Sequence, residues 1–189
     1  MVEIELKAWV TDPEALRKRL VERVGEGVTY DKQDTYYRAP PAAGAFEFRI
    51  RRTGNEAVCT RKEKQIESGL EINQEFEFSA SSAELLDDLV SRLGCVVFAR
   101  KRKRGYRFVV DGLTVELSDV AELGWFVEIE ALVRDAEERP KVETSIRGLL
   151  SNLAIPDRLI EPTPYTTMLD DPSTAQSRPD GVGRKPTAR

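Results

Sequence analysis

Glu3-Ile4-Glu5-Leu6-Lys7 opens the chain with charged and apolar residues in strict alternation. Side chains two residues apart on a strand share a face, so Glu3, Glu5 and Lys7 line one surface while Ile4 and Leu6 point the other way. Alone, the stretch reads as an amphipathic strand with a solvated charged face. It is not alone. Glu75-Phe76-Glu77 and Glu128-Ile129-Glu130 repeat the acidic pattern, and Arg49-Ile50-Arg51 is a basic version between them. Like charges two apart repel on a strand face unless opposite charge or a ligand lies nearby. Charges sorted by strand in this way suit faces that meet across a cavity better than faces that meet water.

The elements around these strands follow from local signals. Asp12-Pro13 is an N-cap with proline at the first helical position, Leu16, Leu20, Val21 and Val24 form a stripe at helical spacing, and Gly25 ends it. Val28 to Tyr37 is extended, and Ala39 to Gly44 is a loop. Phe46 to Arg51 is a strand whose hairpin partner, Ala57 to Lys62, follows a Gly54-Asn55 turn; Glu63 to Gly69 is polar and reads as a loop, and Ile72 to Phe78 as the next strand. Ser81-x-x-Glu84 is a capping-box pattern ahead of a second stripe, Leu85, Leu86, Leu89, Val90 and Leu93, closed by Gly94. Two strands, Val96 to Lys101 and Tyr106 to Val110, flank a basic segment. Asp111-Gly112 turns the chain into Leu113 to Val120. Trp125 to Val133 is the last strand, and Ala136 to Leu153 a last helix interrupted by Pro140.

Read this way the chain runs twice through a Glu-x-Glu strand, a three-turn helix and three further strands. Two such βαβββ halves can form antiparallel sheets that close on one another, charged faces inward and helices on the apolar outer faces. The fold class is therefore α+β. Residues 1–169 form one domain, and 170–189, rich in Pro, Ser, Gly, Asp, Arg and Lys, read as a disordered tail in which Arg184 and Lys185 are solvated.

Composition narrows the chemistry. The net charge of −4 argues against a general nucleic-acid or anionic-membrane binder. No signal peptide or long apolar span is present, so a cytoplasmic protein is expected. Cys59 and Cys95 lack metal or redox spacing and read as small buried hydrophobes. The chain contains no histidine, which removes the usual neutral-pH base and the commonest zinc ligand. What remains is carboxylates beside arginine and lysine. Such a set suits a polyphosphate held with a divalent metal, the basic forks on phosphoryl oxygens and the carboxylates on Mg²⁺ or Mn²⁺. The competing reading is a network of structural salt bridges.

In order along the chain, Glu3-x-Glu5-x-Lys7, Gln33-Asp34-Thr35-Tyr36-Tyr37, Phe48-Arg49-Ile50-Arg51, Thr60-Arg61-Lys62, Glu75-Phe76-Glu77, the basic run up to Tyr106, Leu123 to Glu130 and Pro164 to Leu169 resemble the CYTH superfamily, the triphosphate tunnel metalloenzymes. The resemblance implies an eight-stranded antiparallel β-barrel forming a tunnel, with helices outside. It also implies Glu3, Glu5, Glu128 and Glu130 as carboxylates for Mg²⁺ or Mn²⁺. Lys7, Arg49, Arg51, Lys62, Lys101 and Lys103 would hold the triphosphate, with Lys7, Arg49 and Lys62 also catalytic. Lys101 and Lys103 share an inward face if Arg102 and Arg104 point outward. Glu75, Glu77 and Glu116 would be further tunnel carboxylates.

Within the superfamily the Leu123–Glu130 segment and the Val97–Lys103 run look most like class IV adenylyl cyclases, which convert ATP to cyclic AMP and pyrophosphate. A triphosphatase is the alternative enzyme, and a nucleotide or polyphosphate binding module the non-enzymatic one. A homodimer is compatible with the resemblance. Three positions depart from the pattern. Ser118 stands where an aspartate is common, with Asp119 one residue on; Glu116 could compensate, or a bulge could turn Asp119 inward. Asn73 stands where cyclase-like members often carry arginine, and Pro164 replaces a serine.

Overall fold

The computed structural model describes residues 2–44, 46–134, 136–176 and 178–179. Its first strand, β1 (Val2–Trp9), is hydrogen-bonded on both sides, to β5 (Leu70–Ala80) and to β8 (Gly124–Val133). The other strands are β2 (Val28–Arg38), β3 (Glu47–Thr53), β4 (Glu56–Glu67), β6 (Val96–Val110) and β7 (Leu113–Val120). All eight close into an antiparallel barrel in the order β1-β5-β4-β3-β2-β6-β7-β8. The barrel confirms the eight-stranded α+β expectation.

Across the β1–β5 pair Glu3 lies opposite Asn73 and Glu5 opposite Glu71. Glu75 and Glu77 continue the inward row of β5 beyond Asn73.

Ile4 and Leu6 lie completely buried on the outer face of the barrel wall, where they join one large core with Leu117 of β7 and Ile129 of β8. Helix α1 (Pro13–Val24) supplies Leu16 and Leu20 to this core, and α3 (Arg139–Asn152) supplies Ile146, Leu149 and Leu150. Burying each such side chain contributes about 2 kcal/mol, which is why the apolar half of the opening alternation is as binding on the fold as the charged half. Asp12 caps α1 by accepting from the Ala15 amide at 3.0 Å, and Gly25 ends it at φ +84°. A smaller core of Tyr37, Phe48, Ile50 and Cys59 lies under α2 (Ala83–Arg92). Only Leu86 and Val90 of that helix's expected stripe are buried; Leu85, Leu89 and Leu93 are exposed on its flank. Ser82, not Ser81, caps it, through the Leu85 amide. Cys59 is buried, Cys95 partly so, and both are free thiols.

Three boundaries differ from the sequence reading, each for a visible reason. β4 runs on through Glu63 to Glu67 because Lys64 has a partner on β5, Glu71, at 2.5 Å. The basic run is not a break between strands: β6 is continuous, with Lys101 and Lys103 buried inward and Arg102 outward against Asp31 at 2.6 Å. Pro140 starts α3 and does not interrupt it, since proline costs no hydrogen bond in the first turn. Some of the segment expected to be a tail also has defined structure. Pro172–Thr174 forms a 3₁₀ turn, and the Gln176 amide donates to Glu161 at 3.1 Å. Ser177 and residues 180–189, with Arg184 and Lys185, lie outside the described residues.

Gly105 shows how closely the wall is built. It faces inward between Tyr30 on β2 and Ser118 on β7, and a Cβ there would overlap the Leu117 carbonyl. Main-chain atoms cannot move aside as a flexible side chain can. Gly105→Ala is expected to destabilise the fold by about 3 kcal/mol or more, the scale of severe overpacking, and a shift in the urea midpoint measures it.

Candidate active site

The barrel encloses a cavity of about 440 Å³. Its acidic side comes from β1, β5, β7 and β8: Glu3, Glu5, Glu71, Glu75, Glu77, Glu116, Glu128 and Glu130. Its basic side comes from β3, β4 and β6: Arg49, Arg51, Lys62, Lys64, Lys101, Lys103 and Arg107, with Lys32 from β2. Strand alternation alone produces this lining, since every second residue of each strand must face in.

Carboxylate oxygens of Glu3, Glu5 and Glu130 lie within 4.8 Å of one another. Burial, then the neighbouring Glu128, Glu71 and Glu3, pushes the Glu5 carboxyl well up, and burial followed by Glu3, Glu116 and Glu128 pushes Glu130 up to about 7. Negative charge is crowded here beyond what the protein's own cations neutralise. The donors are hard oxygens, the set that suits Mg²⁺ or Mn²⁺. Lys62 touches the cluster's edge, bonded to Glu3 at 2.8 Å and to Glu75 at 2.6 Å. Glu128 neighbours this trio without being part of it and is paired with Lys103.

On the basic side one carboxylate organises the cations. Asp34, buried on β2, accepts a bidentate pair from Arg51 at 2.7 and 3.0 Å, with Lys101 at 3.4 Å and Arg49 at 3.9 Å. Burial opposes its charge, but Lys101, Arg51 and Arg49 outweigh that and hold the carboxyl well below the usual range. Arg49 is the least committed of these cations. It donates to Thr60 Oγ1 at 2.9 Å, while its buried Nε has no partner. On β7, Glu116 has the corresponding role, between Lys32 at 2.5 Å, Arg107 at 2.7 Å and Lys103 at 2.8 Å. Burial and Lys103 lower the Lys32 amine to about 8.

The remaining expected residues separate. Thr60 donates to Glu77 at 2.9 Å. Lys7 faces inward yet does not line the cavity; its ammonium donates to the Thr163 carbonyl at 2.5 Å and sits 4.3 Å from the Tyr165 ring centre. Ser118 is fully buried and bonded to Tyr30 at 2.6 Å, Tyr30 reaching it over the bare Gly105. The ladder passes through Asp119 without a register shift, so no bulge turns that carboxylate inward. Asn73 donates to Glu3 at 3.0 Å and leaves its buried Oδ1 without a partner.

Sequence reasoning missed Lys32, Asp34, Lys64, Glu71 and Tyr165. Lys64 falls in the stretch whose polarity suggests a loop, and Glu71 lies just ahead of the strand expected from Ile72, although it shares a face with Asn73 and Glu75. Lys32 and Asp34 share a face with Tyr30 and Tyr36, but the row is mixed in sign and Asp31, Gln33 and Thr35 between them are polar, so the charged/apolar alternation read elsewhere is missing. Tyr165 carries no periodicity at all.

Comparison with known proteins agrees with this geometry. The CYTH domain model matches residues 1–165. The chain belongs to the CYTH domain family. A protein of Pyrococcus horikoshii OT3 is 27% identical, covering 88% of this CYTH chain and 99% of its own, at a TM-score of 0.73. A candidate adenylate cyclase of Vibrio parahaemolyticus shares the fold at 16% identity, covering 89% and 98%, with a TM-score of 0.70. A candidate adenylyl cyclase of Hippeastrum, described with a dominant triphosphatase activity, does so at 18% identity, covering 88% and 94%, with a TM-score of 0.56. No curated protein matches the sequence. Members of the family bind triphosphates with metal. Among the described residues, no helix is long and apolar enough to cross a membrane.

Proposed function

We propose that this CYTH domain is a metal-dependent enzyme acting on ATP as a class IV-type adenylyl cyclase, producing cyclic AMP and pyrophosphate. One observation carries the reading: across a single cavity the Glu3–Glu5–Glu130 cluster faces cations built to take phosphoryl oxygens, with Arg49 Nε buried and unpartnered among them. Glu3, Glu5 and Glu130 would hold a Mg²⁺ or Mn²⁺ ion, which when bound neutralises phosphate charge and favours the departing pyrophosphate. Arg49, Arg51, Lys101 and Lys103 bind and orient the triphosphate, and Lys62 steadies Glu3 beside it. Such positioning and charge neutralisation are the main needs of phosphoryl and nucleotidyl transfer. No imidazole is required.

A second reading, triphosphatase, is favoured by Asn73. Its neutral amide stands where the cyclase-like pattern carries arginine, and the Hippeastrum relative described above combines the cyclase description with hydrolysis. The two are separated by product. Pure protein is incubated with ATP, and separately with inorganic triphosphate, each with Mg²⁺ or Mn²⁺, and the products are resolved by chromatography. Cyclic AMP and pyrophosphate from ATP support the cyclase. Orthophosphate without cyclic AMP replaces it with the triphosphatase, and tight binding without any product leaves a binding module.

A further inference from the structure

One end of the barrel is filled where the other is open. Along β8 the inward row is Phe126, Glu128, Glu130 and Leu132, and exposure runs from 0% at Phe126 to 62% at Leu132. On β1 the row ends at Trp9, 1% exposed and directly opposite Phe126. The Trp9 and Phe126 rings lie 4.1 Å apart, and Tyr165 meets Phe126 edge-on at 5.1 Å. Tyr165, at the start of α4 (Tyr165–Asp170), is the member of this stack that lines the cavity. Its ring carries Lys7 at 4.3 Å and Lys101 at 4.9 Å, and its buried hydroxyl has no hydrogen-bond partner.

The stack is fastened from behind. Glu161 accepts from the Trp9 indole at 3.1 Å, from the Thr163 amide at 3.0 Å and from the Gln176 amide at 3.1 Å, so the chain's last described segment crosses this end of the barrel. Lys7, bonded to the Thr163 carbonyl, ties that segment to β1.

We infer that Tyr165 is the floor of a one-mouthed cavity, and that the site therefore accepts only triphosphates whose terminal phosphoryl group is unsubstituted, seated against Tyr165 and Lys101. This rests on the triphosphate reading above and adds a direction to it. The terminal phosphoryl goes in first and any nucleoside stays at the mouth. A substituent on the terminal phosphorus has no place to go, because two more rings lie directly behind the first.

The test is equilibrium binding to the full chain, with Mg²⁺, of inorganic triphosphate, ATP, the γ-methyl ester of ATP and P¹,P³-di(adenosine-5′) triphosphate. The last two carry the same charge, so the comparison between them isolates bulk. The dinucleotide is expected to bind at least a hundredfold more weakly than ATP and tenfold more weakly than the methyl ester. Tyr165→Ala should make room for the single carbon and shrink the gap between ATP and its methyl ester at least threefold, while Tyr165→Phe keeps the floor and leaves the dinucleotide excluded. A thermal melt establishes that each variant is folded. Equal binding of dinucleotide and methyl ester overturns the closed end alone, as does a folded Tyr165→Ala with an unchanged gap. Failure of inorganic triphosphate and ATP to bind at all overturns the triphosphate reading together with it.

Discussion

Arg49→Ala is expected to lower kcat/KM for the triphosphate about a thousandfold and to leave the melting temperature nearly unchanged. The asymmetry comes from what Arg49 touches. Among the described residues it has one hydrogen bond, to Thr60, and a distant approach to Asp34 at 3.9 Å. Asp34 keeps Arg51 and Lys101 when Arg49 is gone, so no buried charge is orphaned. A bound phosphoryl oxygen, by contrast, loses two charge-assisted bonds at roughly 2 kcal/mol each, and about 4 kcal/mol is a factor near a thousand. Arg51→Ala should behave differently. It removes both bidentate bonds from a carboxylate that is 2% exposed, and breaking a buried pair costs about 3 kcal/mol. Its binding defect should therefore come with a melting temperature lowered by about 5–10 °C. Steady-state kinetics beside thermal melts compare the two. If Arg49→Ala melts as low as Arg51→Ala, Arg49 is a structural cation and its free donor is not kept for substrate.

That contrast also marks what was legible in the sequence. Period-two alternation placed Arg49, Arg51 and the carboxylates on inward faces, because within a recognised strand the face is settled by parity; at Lys101 and Lys103 parity allowed either register, and the family resemblance chose the inward one. The Asp12 cap of α1 and the outward packing of Ile4 and Leu6 follow from the same local rules. Partnership does not. Nothing in the order of residues says that Asp34 takes Arg51 as a fork, that Glu128 turns to Lys103, or that Tyr30 crosses a bare Gly105 to reach Ser118. These depend on which strands become neighbours, and β2–β6 and β1–β5 join segments about 70 residues apart. Lys7 is the clearest case. Parity turns it inward correctly, yet the chain's far end covers it, through a carbonyl at Thr163 that carries no sequence signal.

Glu130→Gln is expected to raise the Mg²⁺ or Mn²⁺ concentration needed for half-maximal activity about a hundredfold, and to stabilise the metal-free protein at alkaline pH. Both effects come from one crowded carboxylate. Burial, then Glu3, Glu116 and Glu128, raises Glu130 from 4.5 to about 7. Between those two values the folded protein keeps a proton that the unfolded chain has released. Stability from this group is therefore greatest below pH 4.5, falls as pH rises toward 7, and stays reduced above it. The shift corresponds to about 3 kcal/mol, or nearer 2 after allowing for partial exposure. Glutamine never ionises, so above pH 7 the metal-free variant should melt about 5 °C higher than the parent, and the difference should vanish near pH 4. Metal reverses the ranking. An ion must displace the Glu130 proton, so the parent's affinity should weaken about tenfold per pH unit below 7 and level off above it. The variant binds more weakly throughout and lacks that slope from Glu130, leaving only what Glu5, raised by burial and its neighbours, contributes. Calorimetric melts at about pH 4 and pH 8, with and without Mg²⁺, read both effects together. A Glu130→Gln variant no more stable than the parent at the alkaline pH, and equally stabilised by Mg²⁺, would place the ion elsewhere in the barrel.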